Sequence, residues 1–457
     1  MAQLNIDKSK LEDYKLARRE ILKEIKPSSK QVAEEEEFAN SIINKISKMP
    51  GKHLSAIVAG SFGKGTNLAE TKDFDIFILY PKDMKREEFV EEGLATAQAV
   101  FKGCFWEKAY SEHPYIRGVI NNYKVEVVPA YKIAPGEEII SAVDRTSLHL
   151  LFVLKNMKAT QKDEVRILKQ FMKAIDCYGA DTEVFGFSGY LCELLILFYG
   201  DFITLLTHAA NWEAPIKFTL VKDQEINLAR FNDPLVVIDP VDENRNVASA
   251  VSDKQLSMFI AASRSFLQHP SKEFFIKRPS KQITYHQMVG LLDNFELTII
   301  EFDVKDMLKE VVWSKVRKNA KKIIAHLEFL DFNILKNDIF YKEGETKCYL
   351  IILVESLVLP IYKQVIGPPV CDMKNSQNYL DNTKAILGPY IKDYRWYSIK
   401  QREMTDIKTV LLNFLPENCE LDTNIFVGQD IRNLYLIKTE VLEFLSDFFI
   451  AKEKFLV

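Results

Sequence analysis

Two carboxylates within one apolar strand constrain this chain more than any other feature. Asp73-Phe74-Asp75-Ile76-Phe77-Ile78-Leu79-Tyr80 alternates as a β-strand that Pro81 ends. Side chains at i and i+2 of a strand share a face, so Asp73 and Asp75 stand side by side. Upstream, Leu54–Ala59 reads as a buried strand, and Gly60–Glu70, with three glycines, reads as a loop. Gly60 lets the backbone approach a phosphate closely, and backbone N–H groups with the Ser61 hydroxyl can hold its oxygens. Paired carboxylates beside a phosphate cradle form the donor set that two Mg2+ ions require. Gly-Ser alone is a common turn and Asp-x-Asp alone a common solvated strand edge; their combination in a strand–loop–strand frame is what informs.

A third acid stands in Val125-Glu126-Val127-Val128-Pro129. Charged side chains rarely enter apolar strands unless they are paired or bind metal. Lys124 is the adjacent basic residue on the same face, so a cross-strand ion pair is one reading. The other, which we adopt, is a third metal ligand. Two-metal nucleotidyl transfer needs a carboxylate beside the attacking hydroxyl.

The 457 residues exceed one core and suit two to four domains. Helical patterns at Glu34–Met49 and Arg86–Phe101, with strands at Tyr115–Ile120 and Lys124–Pro129, complete a first α/β segment. From Ser147 to about His269 helices dominate: Glu164–Cys177, Gln255–Leu267, and Tyr190–Thr207, which is apolar nearly all round and reads as one buried helix. After Lys277-Arg278-Pro279, strand Leu297–Phe302, helix Val312–Phe332 and strand Lys347–Val354 predict a small α/β sandwich. The fold class is therefore α+β multidomain. Met1–Lys26 is charged throughout, and no apolar run matches a bilayer, so the expectation is a cytoplasmic protein without a membrane partner. The six cysteines lack Cys-x-x-Cys spacing and read as reduced, mostly buried thiols. A net charge of −4 means that any RNA contact must use local basic patches. One such patch is Lys315–Lys322, on a helix whose apolar stripe (Val312, Val316, Ile323, Leu327, Leu330) predicts outward cations.

The stretch Gly60-Ser61-Phe62-Gly63-Lys64-Gly65-Thr66-Asn67-Leu68 resembles the archaeal-type (class I) CCA-adding enzymes, tRNA nucleotidyltransferases of the DNA polymerase β superfamily. So do His113-Pro114-Tyr115, Glu126–Tyr131, Ser141–Thr146, Gly186–Leu195 and Asp239–Ala248. The resemblance follows the chain in order and is most specific before about residue 280. It implies a polymerase-β-like palm over 1–146, a helical central domain over 147–275, and a ferredoxin-like body with a C-terminal tail over 276–457. It also implies template-independent addition of C, C and A to the tRNA 3′ end from CTP and ATP, using two Mg2+ ions. Asp73, Asp75 and Glu126 match the metal ligands. Gly60, Ser61 and Lys64 match phosphate contacts. Thr146 and His149 match positions near ribose and triphosphate, Lys169 and Tyr178 triphosphate contacts from the helical domain, and Arg245 an arginine that reads the incoming base. Lys318, Lys321, Lys322 and Arg395 are candidate tRNA contacts, with solvated or core positions as the alternative. A poly(A) polymerase or oligoadenylate synthase is the neighbouring activity in the superfamily, and a homodimer is left open.

Overall fold

The strands that carry the three carboxylates are immediate neighbours. The computed structural model describes residues 8–110, 113–221, 228–277, 283–428, 430–431, 439–450, 453 and 455–456. It divides into two units, 1–278 with 453–457, and 279–452. Arg278 and Pro279, where the sequence marks a boundary, lie outside the described residues.

The first unit begins with helices α1 (Lys8–Ile25) and α2 (Ser29–Ser47), strand β1 (Ser55–Val58), helix α3 (Gly60–Lys64) and strand β2 (Asp73–Tyr80). Helix α4 (Arg86–Val100) and strands β3 (Trp106–Tyr110), β4 (Pro114–Ile120) and β5 (Tyr123–Tyr131) follow. The five strands form one sheet in the order β1-β2-β5-β4-β3. Only the central β2–β5 pair is parallel. Period-two alternation sends Phe74, Ile76, Ile78 and Tyr80 into a core with Phe38 and Ile42 of α2 and Phe89 and Val100 of α4. The opposite face carries Phe77, Leu79, Val128 and Ala130 in a smaller cluster. Asp73, Asp75 and Glu126 extend that second face at one end of the sheet.

Gly60–Lys64 is a short helix and not the loop expected from its glycines. Gly65, at φ +69°, ends it in the left-handed conformation.

Next come α5 (Arg145–Asn156), α6 (Ala159–Ala174), α7 (Gly189–Tyr199), α8 (Phe202–Ala209), β6 (Ile216–Thr219), β7 (Leu235–Asp239), β8 (Asp242–Asn246) and α9 (Asp253–Gln268). The single helix expected over Tyr190–Thr207 is two helices crossing at 93°. Gly200, at φ +94°, ends α7, and the Asp201 carboxylate caps α8 by accepting from Thr204 N–H at 2.8 Å. Among the described residues no single helix is long and apolar enough to cross a membrane. Helix α1, grouped by sequence with the palm, packs instead in the helical core, where Tyr14, Ala17 and Ile21 are buried alongside Phe171, Phe202 and Phe266. Ion pairs Arg18–Glu164 (2.5 Å) and Lys26–Asp163 (2.8 Å) tie it to α6.

The second unit contains α10 (Tyr285–Asn294), β9 (Glu296–Asp303), α11 (Lys309–Phe329), β10 (Ile334–Tyr341), β11 (Lys347–Val354), β12 (Tyr362–Pro369), α12 (Met373–Asn382), β13 (Leu387–Lys392), β14 (Arg395–Gln401), α13 (Ile407–Asn418), β15 (Thr423–Val427) and α14 (Thr439–Ile450). Strands β9, β10, β11 and β15 form an antiparallel sheet in the order β10-β11-β9-β15. With α11 and α13 as crossovers, this is the ferredoxin-like arrangement. Both faces are covered. Ile300 and Phe302 pack against α11 and α13, and Leu297 and Ile299 face Met288 of α10 and Leu445 of α14. A second sheet, β12-β14-β13, is inserted in the chain between β11 and β15 and carries α12. Three cysteines (Cys177, Cys192, Cys348) are buried and two (Cys104, Cys371) are exposed, fewer buried than composition suggested.

Candidate active site

Parallel pairing of β2 with β5 sets Asp75 opposite Glu126 and Asp73 opposite Lys124. Across β4–β5, Glu126 is paired in register with Arg117, which donates to Glu107 on β3 at 2.6 Å. A charged row therefore crosses four strands on one face: Glu107, Arg117, Glu126 and Asp75. Sequence reading named Lys124 as the basic neighbour of Glu126 and missed Arg117, because cross-strand register is not a local property. Gly60 abuts this row. Its φ is +58°, and a Cβ there would lie 1.7 Å from Asp75 Oδ2. Glycine is therefore required for the α3 turn to close onto the carboxylate. Burial and the neighbouring Asp73 push the Asp75 carboxyl above its usual range, while Lys64 pulls it down. Such crowded carboxylates are a fitting environment for a cation. Among the described residues no three His, Cys, Asp or Glu side chains are grouped so as to hold a metal ion by themselves. Mg2+ sites commonly draw their remaining ligands from water and substrate phosphates.

A second cluster joins the palm to the helices. Lys64, only 6% exposed, places its Nζ 2.8 Å from Glu193 Oε2 and 4.6 Å from the centre of the Tyr190 ring. Thr66 donates to Glu193 Oε1 at 2.6 Å. Lys169, buried on α6, donates to the Thr66 hydroxyl at 3.2 Å and its carbonyl at 3.1 Å, and lies 3.7 Å from Glu193. Burial raises the Glu193 carboxyl, but Lys64 and Lys169 outweigh it and hold the group below its ordinary value. Arg166, one turn before Lys169, donates to the carbonyls of Gly65 (2.6 Å) and Asn67 (2.8 Å). Tyr178 belongs here too: a Cβ on Gly189 would meet its hydroxyl at 3.0 Å and Lys169 Nζ at 3.6 Å. Burial pushes that hydroxyl up, with Cys192, Glu193 and Asp73 adding to the effect. Ser61 is half-buried on α3, and its carbonyl accepts from Thr66 N–H at 2.9 Å. Glu193 itself was not singled out, though a lone acid in the apolar run Leu191–Tyr199 is a visible signal.

A third cluster centres on Asp239, at the end of β7. Its Oδ2 lies 2.8 Å from His149 Nε2 and accepts from the Arg245 guanidinium at 2.8 Å. Its Oδ1 accepts from the Tyr190 hydroxyl at 3.3 Å. The His149 and Tyr190 rings stack with centres 3.9 Å apart. Burial lowers the His149 pKa against the pull of Asp239. A neutral His149 then carries its proton on Nε2, because a carboxylate only accepts. One turn earlier on α5, Arg145 pairs with Asp242 at 2.8 Å, so one ion pair and the His149 hydrogen bond dock the β7–β8 hairpin on α5. Thr146 is half-buried in the first turn of that helix. A cleft of 1110 Å³ opens between residues 135–142, α5 and the 239–244 turn. The structure thus brings the predicted palm and helical residues into three adjoining clusters within one unit.

Family models match the nucleotidyltransferase domain over residues 39–149, the tRNA nucleotidyltransferase second domain over 163–276, and the CCA-adding enzyme C-terminal domain over 295–439. The CCA-adding enzyme of Methanocaldococcus jannaschii is 36% identical over 88% of this chain and 91% of its own length. That of Sulfolobus acidocaldarius is 36% identical over 91% of this chain and 96% of its own. That of Methanothermobacter thermautotrophicus is 32% identical over 94% and 96%. The chain belongs to the CCA-adding enzyme family. Among solved structures, an Escherichia coli CdnC with ATP overlays 58% of this chain with a TM-score of 0.46 at 17% identity, too distant to bear on function.

The four residues named from the sequence as candidate tRNA contacts lie in the second unit. On α11 the stripe Val312, Val316, Ile323 and Leu327 is buried, and Lys318, Lys321 and Lys322 are exposed, as amphipathic spacing predicts. Lys318 lies 3.9 Å from Glu420, and Lys322 donates to the Asn418 carbonyl at 3.3 Å. Arg395 is exposed and donates to the Gly367 carbonyl at 2.9 Å, beside an exposed Tyr394 and a buried Tyr397.

The Gly60–Asp75 contact yields a direct test. Gly60→Ala displaces the Asp75 carboxylate, so nucleotide incorporation falls on the order of hundredfold while circular dichroism stays native. Near-normal single-turnover rates in that variant would contradict a catalytic role for this close approach.

Proposed function

We propose that this protein adds C, C and A in turn to the 3′ end of tRNA, its 3′-hydroxyl attacking the α-phosphate of CTP or ATP with release of pyrophosphate. The observation that carries the reading is the pairing of Asp75 with Glu126, with Asp73 alongside, against the Gly60 turn. Asp73 and Asp75 would hold two Mg2+ ions, with Glu126 as a further ligand to one of them. When bound, the ions supply hydroxyl activation and charge neutralisation on the phosphates. The chain's own groups do the positioning. Ser61, Lys64, Lys169 and Tyr178 bind the triphosphate, and Thr146 and His149 line the sugar and phosphate side. Arg245 reads the base.

A guanidinium donates only, and its fork meets acceptors on either base edge. Cytosine offers O2 and N3 there and adenine offers N1, whereas uracil and guanine present an N–H at the matching ring nitrogen. Asp239 supports this role by taking one Arg245 nitrogen, which fixes the orientation of the rest. We further propose three domains, near 1–146, 147–275 and 276–457, with α1 assigned to the second by its packing.

Two variants separate chemistry from selection. Asp75→Ala abolishes incorporation of every nucleotide alike with tRNA affinity retained. Arg245→Ala lowers CTP and ATP use and relaxes discrimination against UTP and GTP by about tenfold to a hundredfold in kcat/KM. An Arg245 variant that slows all four nucleotides equally would assign that residue to phosphate binding instead.

The exposed α11 cations supply part of the tRNA-backbone grip, with Arg395 as a further contact. Replacing Lys318, Lys321 and Lys322 together with Gln weakens tRNA binding and flattens its salt dependence by about one unit of slope per lost phosphate contact. An unchanged slope would mean that this helix face is solvated only.

A further inference from the structure

Lys64, Lys169 and Glu193 are buried together between the palm and the helices, with the buried Arg166 one turn from Lys169. Burying charges this way is costly, and well-packed apolar residues often replace such groups at no loss of stability. Stability alone therefore does not account for a carboxylate inside the apolar helix α7. The geometry gives it a different task. Glu193 spends its two oxygens on two partners from the palm, Oε2 on Lys64 Nζ at 2.8 Å and Oε1 on the Thr66 hydroxyl at 2.6 Å. Thr66 in turn accepts from Lys169 at 3.2 Å. The carboxylate is thus shared by two ammonium groups that would otherwise repel each other in a buried site.

We propose that Glu193 is a positioning residue for the incoming triphosphate, holding Lys64 and Lys169 in place before the nucleotide arrives. The inference rests on the reading of both lysines as triphosphate contacts. With the carboxylate present, Lys64, Lys169 and Glu193 together keep one net positive charge, ready for an anion. Without it, the ammonium groups repel, and Lys64, on its four-carbon stem, turns toward water. The nucleotide must then gather both cations as it binds. Once the triphosphate is seated, its own oxygens pair with the lysines and the chemical step proceeds without Glu193. The role therefore shows in KM and not in kcat. Thr66 carries the same signature more weakly, since it is the hydroxyl through which Lys169 is coupled to the carboxylate.

The test uses the full chain with a tRNA substrate. Glu193→Gln keeps the shape and removes the charge. It raises KM for both CTP and ATP by about tenfold, with kcat within about threefold of wild type. Inhibition by inorganic tripolyphosphate weakens by the same factor, and the Kd for tRNA is unchanged. Thr66→Val raises KM in the same direction by about threefold. An unchanged or lowered KM in a Glu193→Gln protein that binds tRNA normally overturns the proposal. If that variant does not fold, an unchanged KM in Thr66→Val overturns it. Lys64→Met distinguishes the two levels. If it leaves KM and tripolyphosphate inhibition unaltered, the triphosphate reading of Lys64 fails and the inference falls with it. If it raises KM and Glu193→Gln does not, only the role of Glu193 is wrong.

Discussion

Parallel pairing of β2 with β5 is the constraint on which the rest of the first unit depends. In an otherwise antiparallel sheet it brings the starts of two apolar strands together, so Asp75 and Glu126 meet side by side. A one-residue slip of either strand would turn its acid into the core occupied by Phe74 and Val125, so burying that face fixes the register. The acids are then left on the other face, crowded enough that Asp75 gives up its proton less readily than an ordinary carboxyl. Gly60 closes the site from above because no side chain fits between its backbone and Asp75. The same packing that stabilises the sheet thus crowds carboxylates where a cation would relieve their repulsion.

Around this centre the helical part of the unit acts through two buried acids, each shared among several partners. Glu193 gathers Lys64 and Thr66, and Asp239 gathers His149, Tyr190 and Arg245. Tyr190 links them: its ring lies under Lys64 and its hydroxyl donates to Asp239. On the roles proposed above, such shared acids would let the phosphate side and the base side be set separately. That separation suits an enzyme that runs one reaction with two different bases.

Much of this was legible in the chain because the signals are local. Asp73 and Asp75 sit two apart on a strand, Gly60-Ser61 precedes them, and α11 carries a period-3.6 apolar stripe; local geometry alone orders these residues. The individual roles of Lys169, Tyr178 and Arg245 came only from family resemblance, since each on its own reads as surface or helix end. What stayed hidden is non-local or cooperative. Arg117 reaches the row by cross-strand register, and α1 joins a core formed some 150 residues later. The α7–α8 break was misread because apolar composition outweighed the stop signal of Gly200-Asp201. Glu193 and Asp239 have meaning only once their partners are assembled around them.

The most direct measurement is extension of a tRNA that lacks its CCA, supplied with CTP, ATP and Mg2+, by the wild-type chain and by Asp75→Asn. The account predicts that the wild type adds three nucleotides and stops, and that Asp75→Asn adds none while binding the tRNA with native affinity. A tail of A residues from the wild type, or continued extension by Asp75→Asn, would contradict it.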